Sequence, residues 1–336
     1  MHRVAEAVDR PSPGSAQDLE GDAVPAQPAL PVSQSVTVAV LTYRRPGDLA
    51  AVLPALDQQA RTLDPPAGVL VVDNDPDGGA RTTVVDHGSD LVRYVHEPEP
   101  GIAAARNRAL TEAGTDLLVF IDDDERPSEH WLVDLVRTYL VDRPAAVVGP
   151  VVSEYERDPD AWVAAGRFFD RRRLPTGTTV ELAATNNLLL DLAQVRREGL
   201  TFDLGLGITG GSDTLFTRQL TRAGGRLVWC DSALVVDVVP ASRLSREWVL
   251  RRAFRSGNSW SHTSLLLAAS PRERAVQRAV LTTRGTIRVV AGAARAGVGA
   301  VTGSLPHRVR GVRTVARGAG LVAGAWGSVY SEYRRP

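Results

Sequence analysis

Four consecutive acidic residues, Asp122 to Glu125, are the part of the sequence with the clearest chemical potential. They directly follow an apolar segment, 116–121, whose composition is typical of a buried strand. Adjacent carboxylates repel one another unless a cation neutralises them. Hard divalent ions prefer oxygen ligands and are usually held by one or two carboxylates plus substrate phosphates. The pattern therefore predicts a divalent metal site that uses Asp122 and Asp124; a solvated acidic turn is the alternative.

Asp213 is a second candidate for chemistry because it follows a glycine pair and a serine, Gly210-Gly211-Ser212. A carboxylate presented from a flexible glycine loop can act as a general base and accept the proton of a hydroxyl group. The alternative is structural, since Asp is common at the N-cap and in the first turn of a helix. A helix is predicted at 212–223, so both interpretations stay open.

Two further polar segments have the residue types of a nucleotide site. Asp73 closes a strand-like segment, and its carboxylate can accept the imide N–H of a uracil-like base; a plain strand-ending turn is the alternative. The segment 101–107 opens an Ala-rich helix, whose N-terminus favours anions. Arg106 is expected to face either a diphosphate or the acidic cluster, although an ordinary helix with an exposed Arg would have the same sequence.

The surrounding segments alternate between strand-like and helix-like patterns. Buried strands are predicted at 36–42, 68–72, 91–96, 116–121 and 146–152, and helices at 48–59, 101–113 and 128–140. This alternation predicts an α/β fold, with a Rossmann-like, mostly parallel sheet flanked by helices on both faces. Ligands of such sheets gather beyond the carboxyl ends of the strands. Asp73 and Asp122 are expected at such ends.

The second half of the chain is less regular. It is predicted to contain a short strand near 185–190, a glycine-rich loop at 205–211, the helix at 212–223, a strand near 226–230 and a basic helix at 246–255. We predict a nucleotide-binding half at 35–150 and a second half of the same domain at 151–265. Residues 1–34 are rich in Pro, Ala, Ser and acids without periodicity, which predicts a disordered arm.

The C-terminal tail, 266–336, is rich in Arg, Ala and Gly and is predicted to be helical. From Arg284 onwards it contains nine arginines and one acid, Glu332. Small apolar residues mixed with arginines suit a helix lying on an anionic membrane surface. Ala/Gly-rich helices packed on the domain, with Arg facing water, are an equally good interpretation.

Composition excludes several classes of protein. The 336 residues contain 39 basic and 39 acidic side chains, so net charge predicts no nucleic-acid partner. All the basic residues are Arg, which rules out Schiff-base lysine chemistry and a P-loop. The single cysteine, Cys230, permits no intrachain disulfide. No secretion signal and no apolar run of roughly 18 residues is present. A cytoplasmic location is expected, at the inner face of the plasma membrane if the tail binds lipid.

Taken together and in this order, five segments resemble family 2 of the inverting glycosyltransferases, bacterial type, which has the GT-A fold. The matching segments are 38–45, 70–74, 101–108, 119–124 and 210–214. The resemblance covers roughly residues 36–260. It implies transfer of a sugar from a nucleoside-diphosphate sugar, with a UDP-sugar favoured and dTDP or GDP donors left open, to the hydroxyl of a glycan or lipid-linked acceptor.

The resemblance also implies roles for individual residues. On the donor side these residues are Thr42 and Tyr43 as nucleotide contacts, Asp73 as the base-reading acid, Arg106 beside the nucleotide, and Asp122 with Asp124 as the Asp-X-Asp motif that holds Mg²⁺ or Mn²⁺. Asp213 falls where the family has its catalytic base, although Ser212 stands where the family usually has Glu. Asn186 and Asn187 fall near the acceptor, and arginines at 251, 252 and 255 are expected to meet phosphate.

Two other functions remain open at this stage. A nucleotidyltransferase that makes sugar nucleotides would share the parallel sheet and the metal, and the segment 44–47 faintly resembles its phosphate-gripping loop. A non-catalytic glycosyltransferase-like module is the other alternative, although Asp122, Asp124 and Asp213 are all present. A Rossmann dehydrogenase is poorly supported, because no G-x-G-x-x-G motif follows the first strand.

Overall fold

The computed structural model of the protein describes residues 29–207 and 209–328. The predicted disordered arm therefore lies largely outside the described residues. Its last six residues differ from that prediction, because Leu30 and Pro31 pair in parallel with Leu63 and Asp64, and Val32 is buried. Apolar side chains at the end of the arm account for this contact, since they lie within reach of the domain core.

The described residues form thirteen strands and ten α-helices. The strands are β1 Leu30–Pro31, β2 Val36–Thr42, β3 Leu63–Asp64, β4 Gly68–Asp73, β5 Val92–His96, β6 Leu117–Asp122, β7 Glu125–Pro127, β8 Ala146–Val148, β9 Val151–Tyr155, β10 Thr179–Val180, β11 Asn187–Asp191, β12 Leu227–Trp229 and β13 Val235–Val239. The helices are α1 Pro46–Ala60, α2 Arg81–His87, α3 Ile102–Glu112, α4 Trp131–Asp142, α5 Ala161–Gly166, α6 Leu192–Arg197, α7 Ser212–Arg222, α8 Arg246–Leu266, α9 Pro271–Val301 and α10 Leu305–Ala325.

Eight of these strands form the central sheet, in the order β10-β12-β8-β11-β6-β2-β4-β5. The pairs β6-β2, β2-β4, β4-β5 and β12-β8 are parallel, whereas β11 runs antiparallel between β6 and β8. The mostly parallel, helix-flanked α/β architecture predicted from the sequence is thereby confirmed. A separate three-stranded sheet, β7-β13-β9, continues from the carboxyl edge.

The central strands are apolar on both faces because each face is covered by helices. Val38, Val40 and Val71 pack on one face with α1 and α4, whereas Ala39 and Phe120 pack on the other face with α3 and α7. All these side chains are almost completely buried. The alternation of successive side chains between two cores fixes the register, since a one-residue slip would exchange the faces.

The strands β2, β4 and β6 end together at one edge of the sheet. Thr42 pairs in register with Asp73, and Leu41 with Asp122. Asp73 and Asp122 therefore lie at the carboxyl ends of strands, as predicted, on the two strands that flank β2. This edge is where ligands of open α/β sheets bind.

The predicted strand at 146–152 is wrong as a single element. It divides at Gly149 and Pro150 into β8 in the central sheet and β9 in the small sheet. Proline lacks a backbone N–H and so ends the ladder, and the Gly149 N–H donates to the carbonyl of Asn187. The division directs β9 towards β13, beside the acidic cluster.

The C-terminal helices pack on one another through glycine. The basic helix predicted at 246–255 extends to Leu266, and α10 packs against both α8 and α9. Only glycine fits at several contacts; a Cβ on Gly320 would lie 1.9 Å from the Phe254 carbonyl oxygen. Within the described residues, none of the helices combines the length and apolarity that a transmembrane span requires. Residues 329–336 of the predicted helical tail lie outside the described part.

Candidate active site

Asp122 lies at the centre of the acidic cluster. The pKa of its carboxyl group is raised to about 6, chiefly by burial and also by the charges of Asp124, Asp237 and Asp213, against the lowering effect of Arg106. Three acids from separate parts of the chain, the turn after β6, α7 and β13, therefore lie near Asp122. Such a concentration of buried negative charge is stable when a cation lies nearby.

Arg45 is one such cation. Its Nη1 atom lies 2.5 Å from Asp124 Oδ2 and 3.3 Å from Asp123 Oδ1. Burial raises the pKa of Asp123 to about 7, against the lowering effect of Thr42 and Arg45. The outer part of the acidic cluster is thus partly neutralised by the residue that precedes α1. The sequence indicated Arg45 only as part of the segments 38–45 and 44–47, without a role of its own.

Glu125 and Asn186 connect the acidic cluster with the second half of the domain. Asn186 Nδ2 donates to Glu125 Oε1 at 2.6 Å, and the Asp122 backbone N–H donates to Glu125 Oε2 at 3.3 Å. Burial, together with the charge on Asp122, raises the pKa of Glu125 well above its ordinary value. The structure therefore places Asn186, a predicted acceptor residue, beside the acidic cluster.

Asn187 is not available to an acceptor. It is buried at 1% exposure, and its side chain is fully engaged within the protein. Its Oδ1 atom accepts from Trp131 Nε1 at 2.9 Å, while Nδ2 donates to the carbonyls of Pro150 and Ala233 at 3.0 and 2.8 Å. These bonds join β11 to α4 and to the junction of the two sheets, so the structure assigns Asn187 a packing role.

We predict that Asn187→Ala lowers the free energy of unfolding by about 3 kcal/mol, because it leaves the Trp131 indole N–H and the Ala233 carbonyl buried without partners. It also removes one of the two hydrogen bonds that the Pro150 carbonyl accepts. Chemical denaturation monitored by tryptophan fluorescence measures the change. Asn186→Ala is the comparison, since it removes a single hydrogen bond, to Glu125 Oε1; it should lower the free energy of unfolding by only about 1–2 kcal/mol. Equal losses in the two variants would contradict this assignment.

Asp73 is fully buried and holds the loop that follows β4. Its Oδ1 atom accepts from the Asp75 N–H, and Oδ2 accepts from the Ala80 N–H and the Tyr94 hydroxyl. Neither carboxylate oxygen of Asp73 is exposed, so neither is free to contact a nucleotide base as predicted. The geometry supports an indirect role, in which Asp73 shapes the loop 74–80 at the carboxyl edge.

Thr42 and Tyr43 end β2 at the same edge. Thr42 is buried, and its carbonyl accepts from the Asn74 N–H at 2.9 Å, so it joins the ends of β2 and β4. Tyr43 is partly exposed, with the Arg44 guanidinium 5.4 Å from its ring centre. Of the two predicted nucleotide contacts, only Tyr43 therefore has a side chain that a nucleotide could reach. Thr42 holds the ends of β2 and β4 together through its backbone.

Asp213 lies in the first turn of α7, next to the acidic cluster. Gly210 and Gly211 both have positive φ, 81° and 97°, which only glycine adopts readily. Asp213 Oδ1 accepts from the Thr214 N–H at 2.7 Å, and the side chain is partly exposed. Its charge acts on Asp122, so the structure brings the predicted base and the predicted metal ligand into one site.

Arg106 joins these two parts of the site. Its Nη1 donates to the Ser212 hydroxyl at 2.7 Å, and its charge lowers the pKa of Asp122. Its buried Nε–H has no hydrogen-bond partner within the described residues. Ser212, which stands where the resembled family usually has Glu, is therefore the anchor that positions α7 against α3.

A group of arginines surrounds Asp237 near the acidic cluster. The sequence predicted Arg252 and Arg255 as phosphate contacts but did not indicate Arg171 or Asp237. Arg171 pairs with Asp237 at 3.0 Å, and Asp237 lies opposite Glu125 in the β7-β13 register. The pKa of Arg252 is lowered to about 10, chiefly by burial and also by the charges of Arg171, Arg255 and Arg243. A single acid within the apolar run 235–239 was the available signal for Asp237.

The residues present fit a divalent ion that takes some of its ligands from the protein and the others from a substrate. Within the described residues, no group of three or more Asp, Glu, His or Cys side chains forms a complete metal cage. Asp122 and Asp124 supply two carboxylates at most, which is the number typical of Mg²⁺ sites completed by phosphate oxygens and water. The buried charge around Asp122 supplies the attraction for such an ion.

Comparison with known proteins identifies the class. The family model of glycosyl transferase family 2 matches residues 37–191. The succinoglycan biosynthesis protein ExoM of Rhizobium meliloti (strain 1021) is 34% identical over 227 residues, which are 67% of this chain and 73% of the relative. The chain belongs to glycosyltransferase family 2 and is a glycosyltransferase enzyme. The nucleotidyltransferase and non-catalytic alternatives are thereby set aside.

Solved structures agree with this fold. The mannosyltransferase PcManGT from Pyrobaculum calidifontis, in complex with GDP-Man and Mn²⁺, has a TM-score of 0.59 at 20% identity, covering 87% of each chain. Residues 1–349 of S. aureus TarS, in complex with UDP-GlcNAc, have a TM-score of 0.50 at 13% identity, covering 84% of this chain and 90% of that one. The predicted GT-A-like fold is confirmed.

Proposed function

We propose that the protein transfers a sugar from a nucleoside-diphosphate sugar to an acceptor hydroxyl in a single displacement with inversion. The observation that carries this proposal is the convergence of Asp122, Arg106 and Asp213 at the carboxyl edge of the sheet. Inversion follows from one displacement at the anomeric carbon, since no covalent intermediate resets the configuration. Asp213 takes the proton of the attacking hydroxyl, and its position in a partly exposed helical turn leaves room for an acceptor.

Asp122 and Asp124 would hold Mg²⁺ or Mn²⁺ against the donor diphosphate. When bound, the ion supplies Lewis-acid stabilisation of the charge that develops on the departing nucleoside diphosphate. Arg106 orients the same region through its hydrogen bond to Ser212, and its positive charge next to Asp122 favours a bound phosphate. Asn186 is retained as the predicted acceptor-side residue, because it lies beside Glu125 and Asp122.

The arginine group around Arg252 supports phosphate binding on the opposite side of the site. Arg252 lies over the Trp248 ring at 5.0 Å and has three neighbouring arginines against one acid, Asp237. Such excess positive charge attracts either the donor phosphates or the phosphate of a lipid-linked acceptor. We propose a glycan or lipid-linked acceptor, and peripheral membrane contact through the C-terminal helices at the inner face of the plasma membrane.

Calorimetric titration with a panel of nucleotide sugars and nucleoside diphosphates, with and without Mn²⁺, tests the donor site. Wild-type protein should bind one nucleotide class in a metal-dependent manner, with a UDP-sugar expected, and Asp124→Ala should lose about tenfold or more in affinity because a ligand to the ion is gone. Asp90→Ala is the control, since Asp90 is exposed at the amino end of β5. Equal binding by wild-type and Asp124→Ala protein would contradict the metal assignment.

A further inference from the structure

A second basic region lies away from the sheet edge, between the segment after α5 and the helices α9 and α10. A cavity of about 370 Å³ there is lined by arginines from these three parts of the chain. Its charged and aromatic lining residues are Arg167, Phe168, Asp170, Arg295, Arg310 and Arg313. The volume is within the range of small-ligand sites.

The cavity has an excess of positive charge. Asp170 is the acid in its lining, and Arg167 Nε already pairs with it at 2.6 Å. Arg310 Nε donates to the Gly166 carbonyl at 3.3 Å, and the Arg313 guanidinium lies 5.6 Å from the centre of the Phe168 ring. In the described part of the chain, no carboxylate pairs with Arg295, Arg310 or Arg313. Burial and the charge of Arg317 lower the pKa of Arg313, as expected for a cation without a counter-ion.

The outer face of α9, next to this cavity, is apolar. Val276, Ile287, Val290, Val298 and Val301 are each more than half exposed there. Their spacing places them on one side of the helix, opposite the glycines that contact α10. From Val276 to Val301 the sequence of α9 contains no acid. Solvent-exposed helix faces are ordinarily polar, so a long apolar face of this kind indicates an interaction surface.

Arginines border this apolar face on the side of the cavity. Arg284, Arg288 and Arg295 are exposed on α9, and Arg295 also lines the cavity. An apolar stripe bordered by basic residues is the pattern of a helix that lies in the interface of an anionic membrane. The partner that matches this pattern is therefore a lipid bilayer, with an apolar interior and negatively charged phosphate groups at its surface.

We propose that the cavity formed by Arg295, Arg310 and Arg313 binds the phosphate group of an anionic phospholipid while the apolar face of α9 lies on the bilayer. This proposal rests on the membrane contact proposed above, and it assigns that contact to one face and one headgroup site. α10 supplies Arg310 and Arg313 to the headgroup site, whereas its glycine face packs on α8 and α9. The transfer reaction at Asp122 and Asp213 is independent of it.

Vesicle co-sedimentation of the full chain tests the proposal. We expect binding to phosphatidylcholine vesicles that contain phosphatidylglycerol and little binding to phosphatidylcholine alone. The double variant Arg310→Gln/Arg313→Gln should bind anionic vesicles about tenfold or more weakly. Arg137→Gln/Arg197→Gln is the charge-matched control, because both arginines are exposed on α4 and α6. Thermal unfolding verifies that each variant is folded.

The apolar face has its own pair of variants. Val298→Asp should weaken binding to anionic vesicles to the same extent, whereas Val141→Asp, on the exposed face of α4, should not. This pair keeps the proposal testable if the arginine variant is unstable. Calorimetric titration with glycerol 3-phosphate separates a soluble phosphate ligand from a lipid.

Three results would overturn the proposal. Undiminished vesicle binding by the arginine variant would remove the headgroup site, and tight binding of glycerol 3-phosphate without vesicle binding would remove the lipid source. A dimer in solution that Val298→Asp dissociates would assign the face of α9 to a second copy of the chain. None of these results affects nucleotide binding, so the donor titration remains a separate test of the proposed reaction.

Discussion

Asp213→Asn is expected to lower kcat by about 10²–10⁴-fold while leaving the affinity for the donor nucleotide unchanged. Asparagine keeps the size of the side chain and can still accept the hydrogen bond from the Thr214 N–H. It cannot accept a proton from the acceptor hydroxyl. The loss should therefore fall on the chemical step, and donor titration by calorimetry should give the same dissociation constant as for wild-type protein.

A matched substitution separates catalysis from helix stability. Asp134 is also an acid in the first turn of a helix, α4, where its charge stabilises the helix N-terminus. Asp134→Asn should retain full activity and lose only about 0.5–1 kcal/mol of stability. If Asp213→Asn retained wild-type kcat with the identified donor and acceptor, Asp213 would be only a helix-terminal acid, and the proton acceptor would have to be sought among the neighbouring carboxylates.

The part of the site that lies on β2, β4 and β6 could be predicted from sequence. Apolar runs of β-branched residues end abruptly at Thr42, Asp73 and Asp122, and parallel strands bring their carboxyl ends to one edge. The local pattern that ends each strand therefore also predicts that these residues lie at one edge of the sheet. Arg106 lies one turn into α3, the helix that follows β5. Asp213 was indicated instead by its glycine loop and by the resemblance to the family.

The remaining residues of the site could not be predicted because their positions depend on pairing between distant segments. Asp237 lies opposite Glu125 through the β13-β7 register, and Arg252, on a later helix, lies close enough to Asp237 for its charge to act on the arginine. Neither contact has a local sequence signal. Asn186 and Asn187 are adjacent and chemically identical, but successive side chains of an extended chain point to opposite sides. Asn186 therefore reaches the acidic cluster while Asn187 lies in the core, and the sequence alone does not show which is which.

The sequence of the C-terminal helices is compatible with packing on the domain and with membrane contact, and the structure shows the packing of α8, α9 and α10. Glycines on α8, α9 and α10 allow the backbones of these helices to approach one another closely. From composition alone, the same glycines would indicate only a low helix propensity. Gly257 and Gly320 lie on the α8-α10 contact, and Gly285 and Gly318 on the α9-α10 contact. The arginines and valines occupy the outer surface, so packing and surface binding are compatible.

Gly320→Ala is expected to destabilise this helical unit strongly. An added Cβ would lie 1.9 Å from the Phe254 carbonyl oxygen, which belongs to the backbone of α8 and cannot rotate away. The helices would have to separate, and overpacking of this kind costs about 1–3 kcal/mol or more. The gain in helix propensity from glycine to alanine, about 1 kcal/mol, opposes it only in part. We expect a net loss of about 2 kcal/mol, measured by chemical denaturation of the full chain.

Gly297→Ala provides the same substitution without the contact. Gly297 lies within α9, and no atom is within 4 Å of the position that its Cβ would take. Alanine there should raise the free energy of unfolding by about 0.5–1 kcal/mol, because it restricts the unfolded chain and favours the helix. The two variants should therefore change stability in opposite directions. If both were stabilising, the close approach of α8 and α10 would not exist in solution, and the faces assigned to α9 and α10 would have to be reconsidered together.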